Sequence, residues 1–229
     1  MEYPHNRPYT ADDLVRIITL LRDPVNGCPW DKVQTHTSIR MNFLEEAYEA
    51  VDALDLDDPV LMCEELGDVL MQVAFHTCME QETGRFTWEQ VCDGVCQKLI
   101  ERHPNIFGTQ PGYEGITDWD ALKNKEKGRR TLADDLESVP RAMPALMRAA
   151  KLQKRAARHG AAPQRAAAAA LADAAENLQT AQPASAQAEQ AVGELLFAAA
   201  NLARQAGVDP EQALQKANEA FCTAAGPVA

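Results

Sequence analysis

Nothing in this chain alternates β-branched and polar residues over the length of a strand, so no sheet competes with the helical punctuation found throughout. No apolar run approaches the ~20 residues of a membrane span. The opening MEYPHNRPYTADD lacks the apolar centre of a secretion signal. Positive charge is in short supply: 22 Lys and Arg stand against 34 Asp and Glu, and a net charge of -12 argues against a nucleic-acid surface. Six cysteines, Cys28, Cys63, Cys78, Cys92, Cys96 and Cys222, form no CxxC. The helical spacing of Cys92 and Cys96 is read as a pair of buried thiols rather than a metal site. No GxxxxGK[ST] loop is present, which excludes a P-loop enzyme. The expectation is a cytoplasmic protein in a reducing compartment, not bound to membrane. Its 229 residues leave room for one or two domains.

What the chain does have is concentrated between Leu44 and Gln72, LEEAYEAVDALDLDDPVLMCEELGDVLMQ. Two acidic signatures lie there, Glu45-Glu46-x-x-Glu49 and Glu65-x-x-Asp68. On helices, Glu46 and Glu49 share a face at i, i+3, and so do Glu65 and Asp68. Leu56-Asp57-Asp58-Pro59 between them reads as a turn with an Asx cap and proline at the first helical position. A short turn makes the helices antiparallel neighbours, so each presents two carboxylates to a common space. A lone Glu on a helix is usually a solvated acid. Four acids set among Leu44, Tyr48, Val51, Leu54, Leu61, Met62, Leu66, Val69, Leu70 and Val73 would repel one another, and a cation relieves that. Oxygen-only ligands favour Mg²⁺, with Mn²⁺ possible, over zinc.

The remaining punctuation is helical. Thr10 caps a helix from about Ala11 to Arg22 carrying Leu14, Ile17, Ile18 and Leu21. A turn-rich loop through Cys28-Pro29-Trp30-Asp31-Lys32 follows. Thr37 or Ser38 starts the first acidic helix; the second runs from Pro59 towards Glu82. Thr87-Trp88-Glu89-Gln90 is a capping box for a helix ending near Arg102. Asp118 opens a basic helix with Lys123, Lys125, Lys127, Arg129 and Arg130. Past Pro140 and Pro144, Lys151, Arg155 and Arg158 share a helix face suited to phosphate in an otherwise acidic protein. The class is all-α.

A weak internal repeat divides the chain. Leu66-Gly67-Asp68-Val69-Leu70-Met71 resembles Val192-Gly193-Glu194-Leu195-Leu196-Phe197, and Asp209-Pro210 repeats Asp58-Pro59. In the second copy Ala191 stands where Glu65 stood, and the best counterpart of the first triplet, Ala175-Glu176-Asn177-Leu178-Gln179, keeps a single acid. The expected domains are residues 1–130, with the acidic motif, and residues 131–229, a degenerate copy. In the second copy Leu195, Leu196, Phe197, Leu202 and Phe221 are expected to serve as packing surface, covering the first half within one chain or across a two-fold dimer.

The run LRDPVNGCPWDKVQTHTS, then EEAYE, EELGD and ERHPNIFG, resembles the MazG family of nucleoside triphosphate pyrophosphohydrolases. ALMRAAKLQKRA and LLFAAANLARQAG resemble the same family's second half, so the likeness covers nearly the whole chain. The resemblance implies an all-α bundle of two tandem repeats, a homodimer, dependence on Mg²⁺, and cleavage of nucleoside triphosphates to monophosphate and pyrophosphate. It implies metal ligation by Glu46, Glu49, Glu65 and Asp68, with Glu45 as the extra acid that orients or deprotonates water. It sets Trp30 and Lys32 near the nucleotide, and Lys123, Lys127, Lys151 and Arg155 at basic positions for its phosphates. Family members with two halves can carry the acidic motif in each; this chain carries it once. The function expected is nucleotide-pool clearing. The alternative is a weakly active or inactive helical scaffold or regulator derived from the enzyme. A di-iron bundle is excluded because it needs Glu-x-x-His pairs on its helices, and neither His76 nor His103 stands three after a Glu.

Overall fold

The computed structural model describes residues 2–108, 122, 124, 126–161 and 166–226. Among these, nine α-helices and one short 3-10 turn appear and no strand, which bears out the all-α reading. The chain falls into two compact units, Met1–Ile116 and Thr117–Ala229. The division falls ahead of the expected 130/131 boundary, so the described end of the basic segment is counted with the second unit. There the Arg129 N–H donates to the Asn124 carbonyl (2.8 Å), and the Arg130 N–H to Asp134 (3.1 Å). The start of the basic helix expected from Asp118, together with Lys123 and Lys125, lies outside the described residues.

In the first unit α1 (Ala11–Leu21) leads through the 3-10 turn Asp31–Val33 to α2 (His36–Asp55), α3 (Pro59–Glu82) and α4 (Trp88–Arg102). Local chemistry sets the starts. Thr10 with Asp13, Thr35 with Ser38 and Thr87 with Gln90 form reciprocal capping boxes, while Asp58 accepts from the Val60 and Leu61 N–H groups ahead of Pro59. The first acidic helix thus begins earlier than expected: Thr35 is its cap and Ser38 the partner inside it. Asp57 makes the α2–α3 corner at φ 53°, a conformation Asp tolerates.

α3 is the spine, with α1, α2 and α4 packed on it. Its C-terminal half carries Ala74, Phe75, Cys78 and Met79 into a core shared with Ile18, Ile39 and Trp88. Burying a side chain the size of Phe75 stabilises by ~1.5–3 kcal/mol. Of the ten apolar residues expected to crowd around the acids, Tyr48, Val51, Leu54, Leu66 and Leu70 are exposed, while Leu44, Leu61, Met62, Val69 and Val73 are half-buried. Towards the corner of the hairpin α2 buries Ala50 and Ala53, and Gln72 of α3 hydrogen-bonds Glu46 across the pair.

The second unit contains α5 (Leu132–Glu137), α6 (Ala145–Arg158), α7 (Ala167–Thr180), α8 (Ala186–Gln205) and α9 (Pro210–Ala225). α7 and α8 form its hairpin, cornered at Ala184 with φ 57° and capped by Ser185. The buried apolar residues of this hairpin are alanines: Ala167, Ala174, Ala191, Ala198 and Ala200. Phe197, expected to pack on the first half within one chain or across a dimer, is 44% exposed within the single chain, with Leu196 and Phe221 exposed too. α8 approaches its neighbours through alanine, which leaves the bulky residues outside.

Of the cysteines only Cys78 is buried; Cys92 is half-buried and Cys96 exposed, so they are not the pair of buried thiols expected. No helix among the described residues is long and apolar enough to cross a membrane.

Candidate metal centre

The α2–α3 hairpin brings three of the expected ligands together. Glu46 and Glu49, one turn apart on α2, and Glu65 on α3 each offer a carboxylate oxygen, all within 4.8 Å of one another. Glu46 and Glu65 are half-buried and Glu49 is exposed. Asp68, half-buried one turn after Glu65, stands outside this mutual trio, but its charge bears on both Glu46 and Glu65. Glu45 is exposed beside Glu46 and does not join the trio.

Loss of hydration pushes the Glu46 carboxyl above its ordinary value. A hydrogen bond from Gln72 opposes that, and the charges of Asp68 and Glu49 add to the rise. Glu65 is raised by loss of hydration, then by Asp68, Glu64 and Glu46. Like charges held this close are a source of repulsion that a divalent cation converts into attraction. The donor set is all carboxylate oxygen, and its spacing lets three ligands converge on one point, so the residues fit a hard cation.

Gln72 was not foreseen. It lies one turn beyond Asp68 and is 6% exposed. Its Nε2–H donates to Glu46 Oε1 at 3.3 Å, while its own Oε1 is buried without a partner among the described groups. A buried carbonyl left so costs ~1–3 kcal/mol.

A second polar cluster continues along the same hairpin. His36 Nδ1 meets His76 Nδ1 at 2.7 Å with the rings stacked, and His36 Nε2 meets Glu80 at 2.5 Å. Arg85 closes on the buried Glu80 at 2.6 Å. Burial first, and then His36, hold the His76 imidazole below its ordinary pKa. Only the end-to-end pairing of α2 and α3 reveals this cluster, because its members lie up to 49 residues apart in the chain.

The loop before α2 is fastened by Arg22, another residue the sequence left unmarked. Its guanidinium forks onto Glu82 (2.5 and 2.8 Å), donates to the carbonyls of Asp31 (2.8 Å) and Gln34 (3.2 Å), and lies over the Phe75 ring. Gly27 is required in the same loop, since a Cβ there would run into the backbone oxygens of Leu21 and Asp23. The loop carries Trp30, 56% exposed, and a half-buried Lys32. Glu46 lies ten residues into α2, ~15 Å along its axis from the loop end. Trp30 and Lys32 are therefore held near the hairpin but not within the acid trio.

The remaining basic positions belong to the second unit. Lys123 lies outside the described residues; Lys127 is exposed and Lys151 half-buried. Arg155 is not open to phosphate as expected. It is buried, pairs with Asp135 (3.2 Å), and donates to the Asp135 carbonyl (2.6 Å) and to Ser138. Arg158 (3.3 Å) and His159 (3.1 Å) complete the shell around Asp135. Burial pushes the Asp135 carboxyl up, but Asn124, His159, Arg155 and Arg158 together hold it below its ordinary value. This cluster ties α5 to α6.

Known proteins resemble this chain over the stretch that carries the trio and beyond it. The description "MazG nucleotide pyrophosphohydrolase domain" matches residues 34–107, the stretch that contains the trio. The chain is 41% identical over 226 residues to a nucleoside triphosphate pyrophosphohydrolase of Escherichia coli strain K12, covering 92% of this chain and 83% of that protein. It is 39% identical over 213 residues to a nucleoside triphosphate pyrophosphohydrolase/pyrophosphatase MazG of Thermotoga maritima, covering 92% and 82%. A nucleoside triphosphate pyrophosphohydrolase of Mycobacterium tuberculosis is 34% identical over 154 residues, 66% of this chain and 46% of that one. A helical hairpin that gathers carboxylates, at these levels of identity, defines the class: the chain belongs to the MazG nucleotide pyrophosphohydrolase family, and with it to the hydrolases.

Proposed function

We propose that this protein hydrolyses nucleoside triphosphates to nucleoside monophosphate and pyrophosphate with Mg²⁺, or Mn²⁺ in its place, and so clears nucleotides from the pool. The observation that carries this is the Glu46, Glu49 and Glu65 trio inside the family-matched stretch. Glu46, Glu49 and Glu65 hold the ion, with Asp68 as the fourth acid of the set. When bound, the ion neutralises triphosphate charge and makes water a better nucleophile. Water attacks the α-phosphorus, the bond to the bridging oxygen of the β-phosphoryl group breaks, and pyrophosphate leaves with the electron pair. Glu45, beside the trio, orients that water or takes its proton. Trp30 and Lys32, on the loop pinned by Arg22, face the nucleotide; Lys123, Lys127 and Lys151 answer phosphate charge. None of the acids acts as a nucleophile.

The hydrolase is proposed to work as a homodimer in the cytoplasm. Exposed Tyr48, Val51, Leu54, Leu66 and Leu70 on the acidic hairpin form an apolar surface that a second copy would cover. Six free cysteines suit a reducing compartment. The test is pyrophosphate release from a nucleotide panel, with and without EDTA, beside light scattering. Magnesium-dependent release from at least one nucleoside triphosphate is expected. Its absence across the panel would leave the inactive scaffold as the correct reading.

A further inference from the structure

Gln72 is a costly residue at its position. It is buried against the acid trio, one of its two polar atoms has no partner, and a methionine of similar length would fill the same space without that loss. What the carboxamide does in return is donate to Glu46 Oε1 across the hairpin, between residues 26 apart in the chain. Reversing the carboxamide would set its carbonyl oxygen against a carboxylate, so only the amide N–H end serves there. Glu46 is also the acid that Asp68 and Glu49 both press upon. A long side chain under that repulsion has other rotamers in which it would swing away from its neighbours.

We propose that Gln72 is a positioning residue: it holds the Glu46 carboxylate in the trio before any ion arrives. This rests on the metal-dependent reading above and adds a residue to it. The hydrogen bond comes from a side chain fixed by burial on α3, so Glu46 is held on α2 by the opposite helix. Groups that orient a ligand from behind set metal affinity while touching neither ion nor substrate.

The experiment is Mn²⁺ titration followed by electron paramagnetic resonance on the full chain, comparing wild type, Gln72→Met, Glu46→Gln and the double variant. Gln72→Met should raise the Mn²⁺ dissociation constant by ~10–100-fold. Its metal-free melting temperature should stay at or above that of wild type. In turnover, the metal concentration needed for half-maximal rate should rise by a similar factor, and saturating Mg²⁺ should restore most of kcat. On the Glu46→Gln background the same change should add little, because its target is gone. Gln72→Leu provides a second apolar replacement if methionine disturbs the helix pair. Wild-type Mn²⁺ affinity in either folded variant overturns the proposal, as does full additivity with Glu46→Gln. If the wild type itself binds no Mn²⁺, the metal-dependent reading fails and takes this proposal with it. If the wild type binds Mn²⁺ and releases no pyrophosphate, the activity falls and the role of Gln72 is still decided by the affinities.

Discussion

Two helical hairpins in this protein share a plan and differ in what fills them. α2 and α3 turn at Asp57 and carry Glu46, Glu49, Glu65, Asp68 and Gln72 between them. α7 and α8 turn at Ala184, and alanines take the facing positions. In the second hairpin a hollow of about 290 Å³ remains, bordered by Ala170, Ala174, Ala198, Asp173, Asn177 and Glu194. Two carboxylates, Asp173 and Glu194, stand on that border beside amide and methyl groups. The difference shows that a hairpin can keep its fold when its acids are gone, because short side chains let the helices close. The charge cluster is therefore not what folds the first hairpin; it is a strain that the first unit bears.

The strongest way to break the comparison is to remove acids from each side. Glu49→Gln or Asp68→Asn should abolish pyrophosphate release, a loss of at least ~100-fold or ~2.7 kcal/mol, with circular dichroism unchanged. Glu176→Ala and Glu194→Ala should leave the rate within about twofold by the same reasoning. An equal loss from both pairs, measured in one assay, would mean that the second hairpin is also catalytic.

Stability should respond the other way round. Asp135, 1% exposed, is the buried anion that gathers Arg155, Arg158 and His159 in the second unit. Asp135→Ala strands a buried guanidinium and should cost ~3–5 kcal/mol in urea unfolding of that unit. Arg155→Met on the same background should recover part of it. A cost below ~1 kcal/mol would show that solvent already reaches the cluster.

A smaller effect concerns pH. Glu46 and Glu65 have raised values in the folded chain, so the folded state keeps protons that the unfolded state releases. Their contribution is present below the ordinary 4.5 and is lost as pH rises through the raised values. The melting temperature of the metal-free protein, relative to a Glu46→Gln, Glu65→Gln variant, should therefore fall as pH climbs past that range. Added Mg²⁺ should reverse the trend, since it binds the ionised acids of the folded state alone.

The smallest effect sits at the corners. Asp57 (φ 53°) and Ala184 (φ 57°) both adopt the left-handed region, but Asp tolerates it better than Ala. Ala184→Gly should raise stability by ~0.5 kcal/mol, and Asp57→Gly by less. Calorimetry on the two variants would rank the corners; a gain at Asp57 alone would reverse that ranking.

The starts at Thr10, Asp58 and Thr87 were legible in the chain because a cap and its partner lie within three residues, whereas Thr35 was passed over for Thr37 or Ser38. So were Glu46, Glu49 and Glu65, whose i, i+3 spacing and intervening turn force them onto one side of a hairpin. The sequence could not say that Gln72 rather than Asp68 would touch Glu46, that Arg22 would hold the loop before α2, or that Arg155 would turn inward to Asp135. Nor could it say that Phe197 would stay outside while alanines met. Periodicity assigns a residue to a face but not that face to a partner. Partners are chosen by the packing of whole helices, where burial makes one hydrogen bond or ion pair decisive, and only the tertiary structure fixes that choice.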